Sequence, residues 1–242
     1  MRPNEARHIE TLLASLASEA INPCLNIGSS TLHFRTVMQP HVDAHVFRPL
    51  RERGVRILNL DIKEDEGVDL VGDVLDPIFQ TQLAALRPRL VMCSNLLEHL
   101  TDPVGFTRAC ASIVEPAGLL LFTGPYSYPY HLDPIDTLYR PGPDEIRRLF
   151  ANFSCLHEAV VPDTTYLDDL LSQNTSSQLI RLIGGHILKF PYLLVADFDR
   201  FKARYHRYFW LFRRYRSTVV LLRRPALDGH VSTPGEHGNA PG

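Results

Sequence analysis

The feature that most constrains the fold of this chain is a regular alternation of short apolar segments and helical segments over its first 150 residues. Each apolar segment is rich in Leu, Ile and Val and stops at a small or acidic residue. Such alternation is typical of βαβ units, whose strands are parallel. The pattern therefore predicts an α/β protein with a Rossmann-like, doubly wound and mainly parallel sheet. The five predicted strands are 24–27, 55–60, 68–71, 89–93 and 119–123.

The segments around these strands complete the predicted organisation. Apolar residues at helical spacing predict a helix at 5–20, and further helices are expected at 43–53, 77–86 and 144–150. Asp102 as a cap and Pro103 in the first turn predict the start of another helix at 101–114. Gly54 is expected to cap the second helix. Strands near 153–160 and 217–223 are expected to close the sheet, with a helical insertion at about 164–216 before the last strand. We therefore expect a single domain over 1–224, followed by a disordered tail at 225–242 that is rich in Gly, Pro, His and Ser.

Composition excludes several classes of protein. The net charge is −2, so the chain as a whole has no footprint for binding nucleic acid. Its four cysteines are widely spaced without a C-x-x-C pair, so neither a disulfide framework nor a zinc site is expected. The N-terminal segment lacks the apolar stretch of a signal peptide, and no segment reaches the roughly 18 uncharged apolar residues of a membrane span. These observations predict a soluble cytoplasmic protein with reduced thiols.

Small and acidic residues follow the predicted strands, where open α/β sheets bind their ligands. Gly28, after the first strand, would let the backbone approach a ligand closely. A dinucleotide site is not favoured, because the G-x-G-x-x-G pattern is missing and Asp61 lies 33 residues after Gly28. Asp61 suits the two hydroxyls of a ribose, and Asp73 suits an adenine amino group. The alternative for each aspartate is a turn or a helix cap.

The order of these segments resembles that of class I S-adenosylmethionine-dependent methyltransferases. The resemblance covers about residues 20–150 and rests on N-I-G-S-S at 26–30, L-D-I at 60–62, V-D-L-V-G-D at 68–73 and S-N-L-L-E-H-L-T-D-P at 94–103. E-P-A-G at 115–118 stands where the family has a K-P-G-G-like turn. The chain also resembles a subgroup associated with polysaccharide or natural-product biosynthesis, through Pro125, Pro129, His131, Pro134, Asp136 and Arg140.

This resemblance implies S-adenosylmethionine as the cofactor. Gly28 would line the methionine moiety, Asp61 would hold the ribose, and Asp73 would hold the adenine edge. Ser94 and Asn95 would flank the cofactor below the fourth strand. One departure is the first turn, where the family usually has several glycines and this chain has I-G-S-S-T. The predicted cofactor-binding residues are Asn26, Gly28, Ser29, Asp61, Ile62, Asp73, Ser94, Asn95 and His99.

Methyl transfer to a hydroxyl also requires a base, because a neutral alcohol is a weak nucleophile. His131 is the predicted catalytic base, and Asp136 would orient it or bind a sugar hydroxyl. His99 is a second candidate for the base. In the alternative interpretation His131 is structural, while Asp136 caps the next turn or pairs with Arg140. No metal is expected, since no His, Asp and Glu cluster has ligand spacing.

The predicted insertion is locally basic and aromatic. Residues 197–224 contain nine Lys or Arg against two Asp. We favour a lid whose aromatic residues pack on the sheet while its arginines reach water. Peripheral contact with an anionic membrane, a homodimer contact, or binding of a sugar nucleotide or RNA are the alternatives. The aromatic stripe comprises Phe198, Phe201, Tyr205, Tyr208, Phe209 and Phe212.

Together these features predict an S-adenosylmethionine-dependent methyltransferase. Its acceptor would be a small molecule or glycan, methylated at a hydroxyl oxygen, and nucleic acid is not expected as a partner. The alternative function is a non-catalytic binding or assembly module with a methyltransferase-like fold. The glycine-poor first turn is the feature that favours this alternative.

Overall fold

The computed structural model describes residues 1–130 and 135–226. Seven strands lie in this part of the chain: β1 (Cys24–Ile27), β2 (Ile57–Asp61), β3 (Leu70–Val71), β4 (Leu90–Ser94), β5 (Leu119–Ser127), β6 (Ser154–Pro162) and β7 (Arg216–Arg223). They form one sheet in the order β3-β2-β1-β4-β5-β7-β6. Neighbours from β3 to β5 are parallel, whereas β7 is antiparallel to both β5 and β6. The predicted doubly wound, mainly parallel sheet is confirmed.

Nine α-helices and five shorter π- or 3₁₀-helical turns accompany this sheet in the described ranges. The α-helices are α1 (Pro3–Ala14), α2 (Pro40–Val42), α3 (Arg48–Glu52), α4 (Pro77–Ala85), α5 (Pro103–Ile113), α6 (Pro143–Leu149), α7 (Tyr166–Gln173), α8 (Ser176–Ala196) and α9 (Phe198–Tyr205). The π-helical turns are Phe34–Met38 and Asp43–Phe47, and the 3₁₀ turns are Ser18–Ala20, Leu97–His99 and His206–Trp210. Beyond Ala226, the tail predicted to be disordered lies outside the described residues.

Local turn chemistry explains where the predicted bounds differ. The first helix stops at Ala14 rather than residue 20, because the chain turns to bury Ile21 beneath the sheet. Gly54 has φ +75°, and the Val55 amide donates to the Leu50 carbonyl, as in a Schellman cap. The predicted glycine cap is therefore confirmed. Because Val55 takes part in this cap, the second strand begins at Ile57 rather than at residue 55.

Helices cover both faces of the sheet. On one face Leu25 and Ile27 join a cluster that includes Phe106 of α5 and Ile146 of α6. On the other face Cys24 packs in a cluster with Ile9 of α1. All four residues of β1 are buried, as expected for a central parallel strand. The carboxyl ends of the strands are therefore left as the edge at which a ligand can bind.

The helical insertion before the last strand is present as α7, α8 and α9. The interpretation that its aromatic stripe packs on the sheet is wrong for Phe198, Phe209 and Phe212, which are exposed. The helical period breaks after Tyr205, where α9 ends and a 3₁₀ turn follows, so the stripe does not continue along one face. By length and composition alone, α8 is the one helix in the described ranges that is long and apolar enough to cross a membrane, and 6% of its apolar window is buried.

Candidate cofactor and acceptor site

The carboxyl ends of β1 and β2 are joined through the Asp61 carboxylate. Its Oδ2 accepts a hydrogen bond from the Ser30 amide at 2.8 Å, and its Oδ1 accepts one from the Lys63 amide at 3.2 Å. Gly28 and Ser30 have φ of +69° and +54°, in the left-handed region. A Cβ on Gly28 would lie 2.8 Å from Leu96 Cδ2. The structure thus brings together three predicted cofactor residues, Gly28, Ser29 and Asp61, in one compact turn.

Arg35 supports this turn, and sequence reasoning missed it. Its buried guanidinium donates from Nη1 to the carbonyls of Ser29 and Ser30, both at 2.7 Å. From Nη2 it donates to the Gly67 carbonyl at 2.8 Å. Burial lowers the pKa of Arg35 from its usual value, because desolvation penalises the charged form. A single arginine within a short helical turn carries no sequence signal for this role. Arg35 holds in place a turn that lacks the usual glycines.

Three other predicted cofactor residues occupy different environments. Asp73 is exposed, and its Oδ1 accepts a hydrogen bond from the Leu75 amide at 2.8 Å, which forms an Asx turn. Ile62 is exposed beside Asp61. Asn26 is buried within β1 and donates from Nδ2 to Asn59 Oδ1 at 3.1 Å, across the β1–β2 pair. Asp73 and Ile62 are thus accessible from solvent, whereas Asn26 is enclosed in the sheet.

The end of β4 places Ser94 and Asn95 differently. Ser94 Oγ is buried, with no hydrogen-bond partner among the described residues. Asn95 has φ +51°, and its side chain donates to the buried Glu5 Oε1 of α1 at 2.8 Å. The second oxygen of Glu5 accepts a hydrogen bond from Ser217 Oγ at 2.9 Å. Asn95 therefore ties the end of β4 to α1, and Glu5 is a second residue that the sequence did not reveal.

Glu98 is a buried carboxyl group next to the ends of β4 and β5. Burial raises its pKa, against the lowering effect of nearby His99 and Arg140. Its Oε2 has no hydrogen-bond partner in the described ranges, and neither does Thr123 Oγ1. Both residues line a cavity of about 10 Å³, which is about the space of one water molecule. Glu98 therefore keeps its proton to a higher pH than an exposed glutamate does.

The predicted acceptor side is built from the segment after β5. His131 lies outside the described residues. Asp136 is fully buried at its side chain: its Oδ2 pairs with Arg140 Nη2 at 2.6 Å, and its Oδ1 accepts from the Leu138 amide at 2.8 Å. The predicted alternative that Asp136 pairs with Arg140 is confirmed. His99 fastens the same segment, because its Nδ1 contacts the Ile135 carbonyl oxygen.

Comparisons with known proteins bear on the fold. No family model matches the chain. A segment of 44 residues is 43% identical to the ubiquinone biosynthesis O-methyltransferase of Albidiferax ferrireducens; it covers 17% of this chain and only 18% of that protein.

Solved structures match over most of the chain at low sequence identity. A S-adenosylmethionine-dependent methyltransferase from Archaeoglobus fulgidus superimposes with a TM-score of 0.52 and 14% identity, covering 91% of this chain and 93% of that one. The [4+2]-cyclase SpnF superimposes with a TM-score of 0.50 and 14% identity, covering 91% and 82% of the two chains. The chain therefore shares the Rossmann-like fold of these two structures.

Proposed function

We propose that the protein is a S-adenosylmethionine-dependent methyltransferase acting on a small-molecule acceptor. The observation that carries this proposal is the turn of Gly28 to Ser30, tied to the Asp61 carboxylate at the carboxyl ends of adjacent parallel strands. A ligand of an open α/β sheet binds at this edge. The segment similar to a ubiquinone biosynthesis O-methyltransferase supports the same class of reaction.

The residues at this edge fit the proposed cofactor. An ionised carboxylate has about four acceptor positions. The Ser30 and Lys63 amides use two of them at Asp61, which leaves capacity for the two hydroxyls of a ribose. Among the residues that the structure describes, none forms a hydrogen bond with Ser94 Oγ at the end of β4. When bound, S-adenosylmethionine supplies an electrophilic methyl group on its sulfonium.

For the acceptor we propose a hydroxyl oxygen on a glycan-like molecule or a natural product. The support is the resemblance of residues 125–140 to a subgroup associated with polysaccharide or natural-product biosynthesis. Methyl transfer is an in-line displacement, so positioning and electrostatics supply most of the catalysis. His131 is the proposed base, and Asp136 is a positioning residue because both of its oxygens are bonded. The raised pKa of Glu98 makes its carboxylate a stronger base than an exposed one, so Glu98 joins His99 as a further candidate for the base.

A non-catalytic binding module is the competing function. The Leu96 side chain packs on the open side of Gly28, at 2.8 Å from the position of a Cβ, and the turn has two serines in place of glycines. The cyclase with a similar fold shows that this fold by itself does not specify methyl transfer, because one fold hosts several activities. Cofactor affinity distinguishes the two functions directly.

Calorimetric titration with S-adenosylmethionine and S-adenosylhomocysteine tests the proposal. We expect binding by the wild type and a loss of about tenfold in Asp61→Asn, which keeps one acceptor oxygen but removes the charge. Asp199→Asn makes the same change at an exposed carboxylate of α9 and is expected to bind normally. Failure of the wild type to bind either ligand would refute the methyltransferase and favour the binding module. Unchanged affinity in Asp61→Asn would remove Asp61 from the site.

We also propose a cytoplasmic location, for which the thiols are the support. Cys24, Cys93 and Cys110 are buried and free, and Cys155 is exposed and free. An exposed free thiol is compatible with a reducing compartment.

A further inference from the structure

Within the described ranges, a row of exposed apolar side chains lies along the outer side of α8. The exposed residues recur at helical spacing, and no charged residue interrupts them; they are Ile180, Ile183, Ile187, Leu188, Leu194 and Val195. The inner side of α8 packs against α9: Phe190 lies 5.1 Å from Phe201 between ring centroids, and Tyr205 Oη donates to the His186 carbonyl. A continuous exposed apolar face of this kind is typical of an interaction surface. We refer to residues 176–214 as the arm and to this face as the outer face of α8.

The arm is strongly basic within an acidic protein. It contains eight Lys or Arg against two Asp, while the whole chain has a net charge of −2. A cleft of about 570 Å³ is lined by residues of both α8 and α9: Lys189, Tyr192, Leu193, Arg200 and Arg204. Arg200 pairs with Asp197 at 3.1 Å; within the part of the chain that the structure describes, no ion pair is found for Lys189 or Arg204. The cleft therefore presents cationic groups suited to phosphate.

The exposed apolar face and the basic charge of the arm together indicate a partner that is both apolar and anionic. We propose that the arm is a peripheral membrane anchor, which inserts the outer face of α8 into the surface of a bilayer that contains anionic phospholipid. Interfacial helices combine an apolar face with basic flanks in this way. A symmetric dimer through the same face would bring two basic arms together, and like charges oppose that contact.

The arm lies on the membrane rather than crossing it. The insertion that contains the arm leaves the sheet at Pro162 and returns at Arg216, and these two residues are register partners in β6 and β7. A spanning α8 would require residues 197–215 to cross back, with Arg200, Lys202 and Arg204 among them. Each such charge is unfavourable at the centre of a bilayer, where it loses its hydration. An interfacial position leaves these cations among the lipid headgroups.

Flotation with lipid vesicles tests the anchor. We expect the full chain to bind phosphatidylcholine vesicles that contain phosphatidylglycerol more tightly than vesicles of phosphatidylcholine alone, and to dissociate at high salt. Ile187→Ser is expected to reduce binding about tenfold, because it removes a side chain from the inserted face. Ile78→Ser is the matched control: Ile78 on α4 is 72% exposed and Ile187 is 69% exposed. Arg200→Gln combined with Arg204→Gln is expected to reduce binding to the anionic vesicles alone.

Three results would overturn the proposal. The first is wild-type protein that does not float with anionic vesicles, and the second is Ile187→Ser protein that floats as well as the Ile78→Ser control. The third is a dimer that sedimentation velocity detects in the wild type and that Ile187→Ser abolishes, without vesicle binding; a second copy would then cover the face. Thermal unfolding of each variant checks that loss of binding is not loss of the fold, since both isoleucines are exposed.

Discussion

Replacement of Arg35 tests whether its side chain stabilises the turn of Gly28 to Ser30. Arg35→Met keeps the apolar stem and removes three hydrogen bonds to backbone carbonyls. The bond to the Ser29 carbonyl is buried, and an unsatisfied buried acceptor costs about 1–3 kcal/mol. The other two acceptors, on Ser30 and Gly67, are partly reached by water, and each bond is worth about 0.5–1.5 kcal/mol. We expect the unfolding free energy to fall by about 3 kcal/mol.

Urea unfolding measures this loss of stability, and calorimetric titration with S-adenosylmethionine measures whether cofactor affinity falls with it. Arg51→Met is the control, because Arg51 lies in the same segment but is half-exposed and pairs with Asp43 on the surface. A surface ion pair is worth about 0–1 kcal/mol, so this variant is expected to be nearly as stable as the wild type. Equal stability of the two variants, with unchanged cofactor affinity, would refute the role of Arg35.

Three further predictions concern the site. Gly28→Ala is expected to lower the unfolding free energy by about 1–2 kcal/mol, because Gly28 has a positive φ that alanine adopts at a cost. The new Cβ would also clash with Leu96, and Leu96→Ala is expected to relieve that part of the loss. Strictly additive effects in this double-mutant cycle would contradict the clash. Because burial raises the pKa of Glu98, the folded state binds its proton more tightly, and wild-type stability is expected to fall as pH rises from the unfolded to the folded pKa. Urea unfolding across this pH range should show that Glu98→Gln removes the fall, and equal slopes would count against it. His131→Ala is expected to reduce turnover on a hydroxyl acceptor by about 10²–10⁴-fold without loss of cofactor affinity, whereas full turnover would leave His99 and Glu98 as candidates for the base.

The sheet was predictable because its information is local. Each central strand is a short apolar run that stops at Gly28, Asp61 or Ser94, and a parallel strand buried on both faces requires such a run. The turn at Gly54 is equally local, since the left-handed cap favours glycine. Gly28 and Asp61 lie close together because β1 and β2 are adjacent parallel strands, whose carboxyl ends meet at one edge of the sheet.

The supporting residues of the site were not predictable, because their partners are distant in the chain. Arg35 bonds to Gly67, and Glu5 bonds to Asn95 and Ser217. Nothing around Glu5 distinguishes it from the exposed glutamates of an amphipathic helix. The outer face of α8 was missed for a different reason: helical periodicity shows that a stripe exists but not which side of the helix the rest of the protein covers.

The arm and the candidate site lie at the same edge of the sheet. Since β5 and β6 are both antiparallel to β7, the last residue of β6 lies at the edge where β4 and β5 end. Arg216, where the arm returns, pairs with both Pro162 and Ser127. The arm also contacts the acceptor segment directly, through His206 Nε2 and the Tyr130 carbonyl oxygen at 2.6 Å. If the arm binds a bilayer as proposed, this shared edge brings the candidate site towards the lipid surface, while the acidic remainder of the chain is repelled from anionic headgroups. An acceptor that partitions into the membrane is therefore the substrate class that connects both proposals.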